Sequence, residues 1–195
     1  GGDGGQLMNT RMHGSEDALA QIPCKRVAGR PAPRGLVGGL GMGFTLASAL
    51  QHIGKNGQVV VAELVPGVIE WNRGPLGEKA GMPILDPRAE IRCLDVAEVI
   101  KSEPLGFDAI MLDVDNGPEG LTHTGNNWLY SMAGLHACHR ALRPAGILAV
   151  WSASADRKFA DKVGKAGFKV EEVQVYAHGN KGTKHTLWIG SKLKA

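Results

Sequence analysis

Short, mostly apolar runs recur along the chain from Arg34 onward, with helix-like segments between them. In chain order the runs are Leu36–Val37, Val59–Ala62, Glu90–Cys93, Phe107–Leu112 and Gly146–Trp151. Continuous apolar strands without polar alternation are typical of a parallel sheet that is covered by helices on both faces. The pattern therefore predicts an α/β fold built around a central parallel sheet.

The segments between these strands have helical patterns. The predicted helices are Phe44–Ile53, one through Ile69 and Trp71, one through Val99 and Ile100, Asn127–Leu142, and Asp156–Ala166. Four tryptophans fall within predicted elements and are expected to belong chiefly to the core: Trp71, Trp128, Trp151 and Trp188.

The end of the chain breaks the alternation of strand and helix. Phe168–Tyr176 and His185–Ile189 are strand-like, and about eight residues separate them, including the turn formers Gly179, Asn180 and Gly182. A crossover helix does not fit in that space, so the two strands must pair as a hairpin. The sequence thus predicts a seven-stranded mixed sheet with a C-terminal antiparallel hairpin. By analogy, this pattern resembles the Rossmann-like class I methyltransferase fold.

Residues 1–33 differ from the rest of the chain. Gly1–Arg11 is polar and rich in glycine, and Ser15-Glu16-Asp17 predicts the start of a helix. Pro23, Pro31 and Pro33 are expected to interrupt that pattern. We interpret 1–33 as a lead-in segment that caps the main domain, residues 34–195.

Composition excludes several functional classes. A net charge of +3 with scattered basic residues does not favour nucleic-acid binding, and no apolar run reaches membrane-spanning length. Cys24, Cys93 and Cys138 are far apart, so we expect buried thiols of a reducing compartment rather than disulfides or a zinc site. We expect a cytoplasmic protein that contains no metal.

Gly38–Gly43 lies between the first strand and its helix, where open α/β sheets place a ligand loop. Gly39, Gly41 and Gly43 would let the backbone approach a nucleoside, and the following helix supplies free amide donors. A glycine-rich turn also serves plain packing between helix and strand. This loop by itself is a weak indication of function.

Acidic residues follow three of the predicted strands at the same edge of the sheet. Glu63 could accept hydrogen bonds from ribose hydroxyls, with Leu64 beside it, or it could stabilise a helix start. Asp95 could accept from an adenine amino group while Val96 packs on the base, or it could cap the next helix. Asp113 ends the fourth strand and could orient an acceptor, or it could bond to the turn that follows.

The same residues resemble the spermidine synthase family. Asp3-Gly4-Gly5-Gln6-Leu7 is similar to its Asp-Gly-x-x-Gln-Leu motif, Gly38–Gly43 to its first turn, and Gly117–Leu121 to its Gly-Pro-Ala-Glu stretch. Leu142–Leu148 resembles the Leu-(Lys/Arg)-x-x-Gly-x-Leu segment before strand five. The resemblance implies that Gln6 contacts the nucleoside, Glu63 the ribose and Asp95 the adenine. It also implies that Asp113 is the first acid of the catalytic loop.

The residues that bind the acceptor in that family are not preserved in this chain. Asn116 stands where the family has its second acid, with Asp115 one residue earlier, and Met12–Ser15 replaces residues that hold the diamine. Three functions stay open. The first is methyl transfer from S-adenosylmethionine to a small or peptide-like nucleophile, with Asp113, Asp115 and Asn116 at the acceptor. The second is aminopropyl transfer from decarboxylated S-adenosylmethionine to a polyamine, and the third is a non-catalytic nucleoside-binding module. The oligomeric state is also open, and a homodimer is one alternative.

Overall fold

The computed structural model describes residues 17–113, 128–152, 156–178 and 181–194. These residues form seven strands, which are β1 (Arg34–Gly38), β2 (Gln58–Ala62), β3 (Ala89–Arg92), β4 (Phe107–Asp113), β5 (Leu142–Ser152), β6 (Lys169–His178) and β7 (Lys181–Ser191). All seven strands belong to one sheet, in the order β3-β2-β1-β4-β5-β7-β6.

Helices connect the strands. They are α1 (residues 17–27), α2 (Phe44–His52), α3 (Pro66–Asn72), α4 (Pro75–Glu78), α5 (Val96–Ser102), α6 (Met132–Ala141) and α7 (Arg157–Lys165). A short 3₁₀ turn, Pro83–Leu85, precedes β3.

The sheet is mixed, as the sequence predicted. Strands β3, β2, β1, β4 and β5 pair in parallel, whereas β7 pairs antiparallel with both β5 and β6. The chain runs outward from β1 to β3, then returns to place β4 on the other side of β1. The point where the strand order reverses therefore lies between β1 and β4, and such a point opens a crevice at the carboxyl ends of the strands.

Two hydrophobic cores cover the two faces of the sheet. One face packs against α5, α6 and α7, and its buried side chains include Ile100, Leu135 and Val163. The other face packs against α1 and α2, with Leu19 and Leu46 fully or almost fully buried there. The continuous apolar strands of the sequence are explained by this coverage, because β1, β2, β4 and β5 bury consecutive residues and therefore both sides of the strand.

Helix α1 continues through Pro23, which the sequence analysis expected to interrupt it. A proline inside a helix costs about 3 kcal/mol through its missing N–H and its steric clash. Here that cost is offset because α1 buries four side chains against the sheet: Leu19, Ala20, Cys24 and Val27. The first described residues therefore contribute directly to the core of the fold.

Two further expectations were wrong. Only residues 179 and 180 lie between β6 and β7, because the ladder extends to the pair His178 and Lys181, so Gly182 lies in β7. Trp71 is 63% exposed rather than buried, because the short helix α3 turns only Ile69 and Asn72 inward. Trp151 and Trp188 are buried as expected.

Candidate functional site

The loop after β1 is held in conformations that favour glycine. Gly39, Gly41 and Gly43 have φ values of 94°, 50° and 86°, all in the left-handed region. The amide of Gly39 donates to the carbonyl of Ala62 at the end of β2, at 2.8 Å. The amide of Gly43 donates to the carbonyl of Leu40, also at 2.8 Å, and closes a turn at the start of α2. The loop is therefore a defined structure anchored on the neighbouring strand.

Asn72 fixes this loop from α3, and the sequence analysis missed it. Its side-chain amide donates to the carbonyls of Gly41 and Val68, each at 2.8 Å, and the residue is 1% exposed. A Cβ atom on Gly43 would lie 2.9 Å from Asn72 Oδ1, so close packing as well as conformation requires glycine there. A single Asn at the end of an apolar helix was the available signal, but its partner is 31 residues away.

Glu63, one residue beyond β2, joins the glycine loop to α3. Its Oε1 accepts from the amide of Leu40 at 2.8 Å, and its Oε2 accepts from the amide of Val65 at 3.0 Å. The residue is 9% exposed. Val65 is the N-cap residue of α3, so the helix-start role that the sequence left open is present. A carboxylate has about four acceptor positions, so these two bonds leave capacity for a ligand.

Asp95 occupies the N-cap position of α5 and accepts from the amide of Ala97 at 2.9 Å, as the capping alternative predicted. Val96 is buried, and its methyl groups approach within 3.4 Å of where a Cβ on Gly38 would lie. Between Glu63 and Asp95 the surface is apolar and exposed, with Leu64 and Leu94 each about half accessible. This edge therefore combines two positioned carboxylates with an open apolar surface.

Asp113 ends β4 and lines a cavity of about 50 Å³ at the point where the strand order reverses. The cavity brings Asp113 together with Gly39 and Gly41, beneath Leu19 of α1. Its volume is far below the roughly 300–1,000 Å³ of small-molecule pockets. A nucleoside would therefore have to extend along the open edge toward Glu63, Leu64 and Asp95, which do not line this cavity.

Gln6, Asp115 and Asn116 lie outside the described residues. Within the described segments, no group of three or more His, Cys, Asp or Glu side chains is arranged to hold a metal ion. Burial raises the pKa of the Cys24 and Cys138 thiols to about 12, so neither is a thiolate nucleophile near neutral pH. Cys93, expected to be buried, is exposed because it follows β3 at the open edge.

The fold resembles those of solved S-adenosyl-dependent transferases. The spermidine synthase of Thermotoga maritima superposes with a TM-score of 0.75 at 21% identity, covering 94% of this chain and 61% of that one. A spermidine synthase in complex with the transition-state analogue AdoDATO gives 0.73 at 20% identity, covering 94% and 60%. The 1,6-didemethyltoxoflavin-N1-methyltransferase of Burkholderia thailandensis, solved with S-adenosylhomocysteine, gives 0.63 at 20% identity, covering 92% and 79%.

These similarities show that the chain has the class I S-adenosylmethionine-dependent methyltransferase fold, which spermidine synthases share. The chain spans about three fifths of the length of the two spermidine synthases. No protein-family model matches the sequence, and no curated protein is significantly similar to it. None of the helices in the described segments is both long and apolar enough to cross a membrane.

Proposed function

We propose that this protein transfers a group from an S-adenosyl sulfonium nucleoside, and that the reaction is methyl transfer from S-adenosylmethionine to a small or peptide-like nucleophile. The observation that carries the proposal is the placement of Glu63, which is buried at the carboxyl edge beside the reversal of strand order and tied to the glycine loop. Open α/β sheets bind their ligands at such an edge.

The residues at this edge fit such a nucleoside. Glu63 is held rigidly by two backbone amides, so its remaining lone pairs are oriented in advance for the ribose hydroxyls. Among the described residues, nothing lies within 4 Å of the position that a Cβ on Gly41 would take, so the loop can approach a ligand closely there. Leu64 offers apolar contact, and Asp95 retains acceptor capacity beyond its bond to Ala97.

The bound sulfonium would supply an electrophilic carbon and a leaving group that loses its positive charge. The protein has to align the acceptor and, for an amine, take up a proton. Asp113 is the described residue best placed for both tasks, because it shares a cavity with Gly39 and Gly41 of the nucleoside loop. Asp115 and Asn116 are proposed to hold the polar groups of the acceptor.

Aminopropyl transfer is the second candidate, and the Asp3–Leu7 motif favours it because spermidine synthases have a similar segment. The altered acid spacing at Asp115 and Asn116 favours methyl transfer instead. A module that only binds the nucleoside would have no need of an acid at the position of Asp113.

The test is the variant Asp113→Asn, assayed with labelled S-adenosylmethionine and its decarboxylated analogue against a panel of amines and peptides. The substitution keeps the shape of the side chain and removes its charge. We expect turnover to fall by about 10²–10⁴-fold, while the dissociation constant of the nucleoside stays near that of the wild type. The nucleoside that supports turnover identifies the group transferred.

Asp161→Asn, on the exposed side of α7, is the matched control and should leave turnover unchanged. Normal turnover by Asp113→Asn would make Asp113 a turn residue and remove the catalytic assignment.

A further inference from the structure

An aromatic pair lies at the same edge of the sheet as Asp113. Trp151, near the end of β5, stacks on His185 of β7, with ring centroids 4.6 Å apart and planes inclined by 20°. Because β7 runs antiparallel to β5, its first residues lie at the carboxyl edge of the parallel strands. The pair is therefore on the proposed catalytic side of the molecule and not at the opposite edge.

The register places Asp113 and His185 on one face of the sheet. Asp113 is the partner of Trp151 in the parallel ladder, and Trp151 is the partner of Leu187 in the antiparallel one. His185 lies two residues before Leu187, so its side chain points to the same face. That face is the one covered by α1, since Trp151 and Leu187 share a core cluster with Leu19.

Among the described residues, His185 Nδ1 is buried and has no hydrogen-bond partner. A buried polar atom without a partner destabilises a fold, and other histidine ring nitrogens in the described segments have partners. His52 Nδ1, for example, contacts the carbonyl of Ser48 at 2.7 Å. Two other buried atoms also lack a partner among the described residues. Trp188 Nε1 belongs to the core on the other face of the sheet, and Asn72 Oδ1 lies against the glycine loop. His185 is thus the one of these three side chains that lies on the proposed acceptor side.

We propose that His185 positions the acceptor, with Nδ1 accepting a hydrogen bond from an N–H or O–H group of that molecule. Asp113 and His185 are two strands apart and offset by two residues along the strand, a separation of about 12 Å between backbones. The acceptor would place its nucleophilic amine at Asp113, extend across the Trp151 ring, and present a second donor to His185. Since Nδ1 exposes almost no surface, the incoming group must displace the side chains around it. The new hydrogen bond offsets the free-energy cost of that displacement.

This inference rests on the proposed function, and binding of two probe amines tests it. The wild-type protein is saturated with S-adenosylhomocysteine and titrated with hexylamine or with aminohexanol, which carries a hydroxyl at the far end of the same carbon chain. We expect aminohexanol to bind about fivefold more tightly than hexylamine, as one added hydrogen bond implies. In ¹⁵N-histidine spectra the Nδ1 resonance of His185 should shift only with aminohexanol.

His185→Phe keeps the stack on Trp151 and removes Nδ1, so it should abolish the preference for aminohexanol and leave hexylamine binding unchanged. His136→Phe, at an exposed position of α6, should leave the preference intact. If S-adenosylhomocysteine binds but the two probes bind equally, or neither binds, or the preference survives in His185→Phe, the inference is overturned and the proposed function stands. If S-adenosylhomocysteine does not bind, the proposed function falls, and the inference falls with it.

Discussion

The carboxylates at the amino edge of the sheet, where the parallel strands begin, have different partners from those at the carboxyl edge, where these strands end. At the amino edge Asp108, with its side chain 4% exposed, is paired with Arg30 at 2.6 Å and Arg143 at 2.9 Å, and it also accepts from the amide of Arg34 at 2.8 Å. At the carboxyl edge Glu63 and Asp95 accept from backbone amides, and neither forms an ion pair within the described segments.

This contrast separates a structural acid from candidate functional ones. The charge of Asp108 is neutralised by side chains that tie the segment after α1 to β4 and to the start of β5. Amides orient Glu63 and Asp95 without cancelling their charge, so these groups keep acceptor capacity for a ligand. A carboxylate at a strand end thus indicates a ligand site only when side chains of the same protein do not neutralise its charge.

The largest stability effect is expected at the structural acid. Asp108→Asn leaves two guanidinium groups without their buried counter-charge, and breaking such a pair costs about 3 kcal/mol here, because both arginines are partly exposed. Urea unfolding measures the loss. Glu171→Gln removes an exposed ion pair with Arg26 and should cost less than about 1 kcal/mol. Equal losses for the two variants would show that Asp108 is not the buried structural acid that we assign.

A smaller effect is expected from paired substitutions in the glycine loop. Gly43→Ala forces a side chain into the left-handed region and against Asn72, so we expect a loss of about 2–3 kcal/mol. Gly41→Ala brings its Cβ within 4 Å of none of the described residues, so it should cost only about 1 kcal/mol, for conformation alone. Comparison of the two urea midpoints measures the cost of the tighter packing around Gly43, where the contact with Asn72 is the shortest. A larger loss for Gly41→Ala would show that the loop is packed differently.

The smallest effect concerns pH at the far side of the molecule. Burial lowers the pKa of His139 below its usual value near 6.5, the charge of Lys192 lowers it further, and a hydrogen bond with the Gly167 backbone partly opposes both. The neutral ring is favoured in the folded state. Its contribution to the free energy of unfolding is therefore complete above about pH 6.5 and is lost as the pH falls through the folded-state pKa.

We therefore expect the melting temperature of the wild type to fall slightly more than that of His139→Gln between about pH 7.5 and about pH 5. This substitution should leave the affinity for the nucleoside unchanged. A variant that loses more stability on acidification than the wild type would contradict the assigned direction.

Local patterns were enough to predict the fold but only part of the site. Apolar runs and the close spacing of the last two strands determine the mixed sheet, because burial on both faces leaves a clear pattern in the sequence. Glu63 and Asp95 could be placed at strand ends for the same reason. Asn72 and Asp108 could not be assigned, since Gly41 and Arg30, the partners that define their roles, are 31 and 78 residues away along the chain and only the folded chain brings them together.

Calorimetric titration of Glu63→Gln with S-adenosylmethionine tests the central claim most directly. The account predicts a loss of roughly 1.5–3 kcal/mol for each charge-assisted bond removed, so that most of the affinity disappears. Asn72→Ala disturbs the same loop without removing a proposed ligand contact, and it should weaken binding much less. A binding isotherm for Glu63→Gln that is unchanged from the wild type would contradict the assignment of this edge as the nucleoside site.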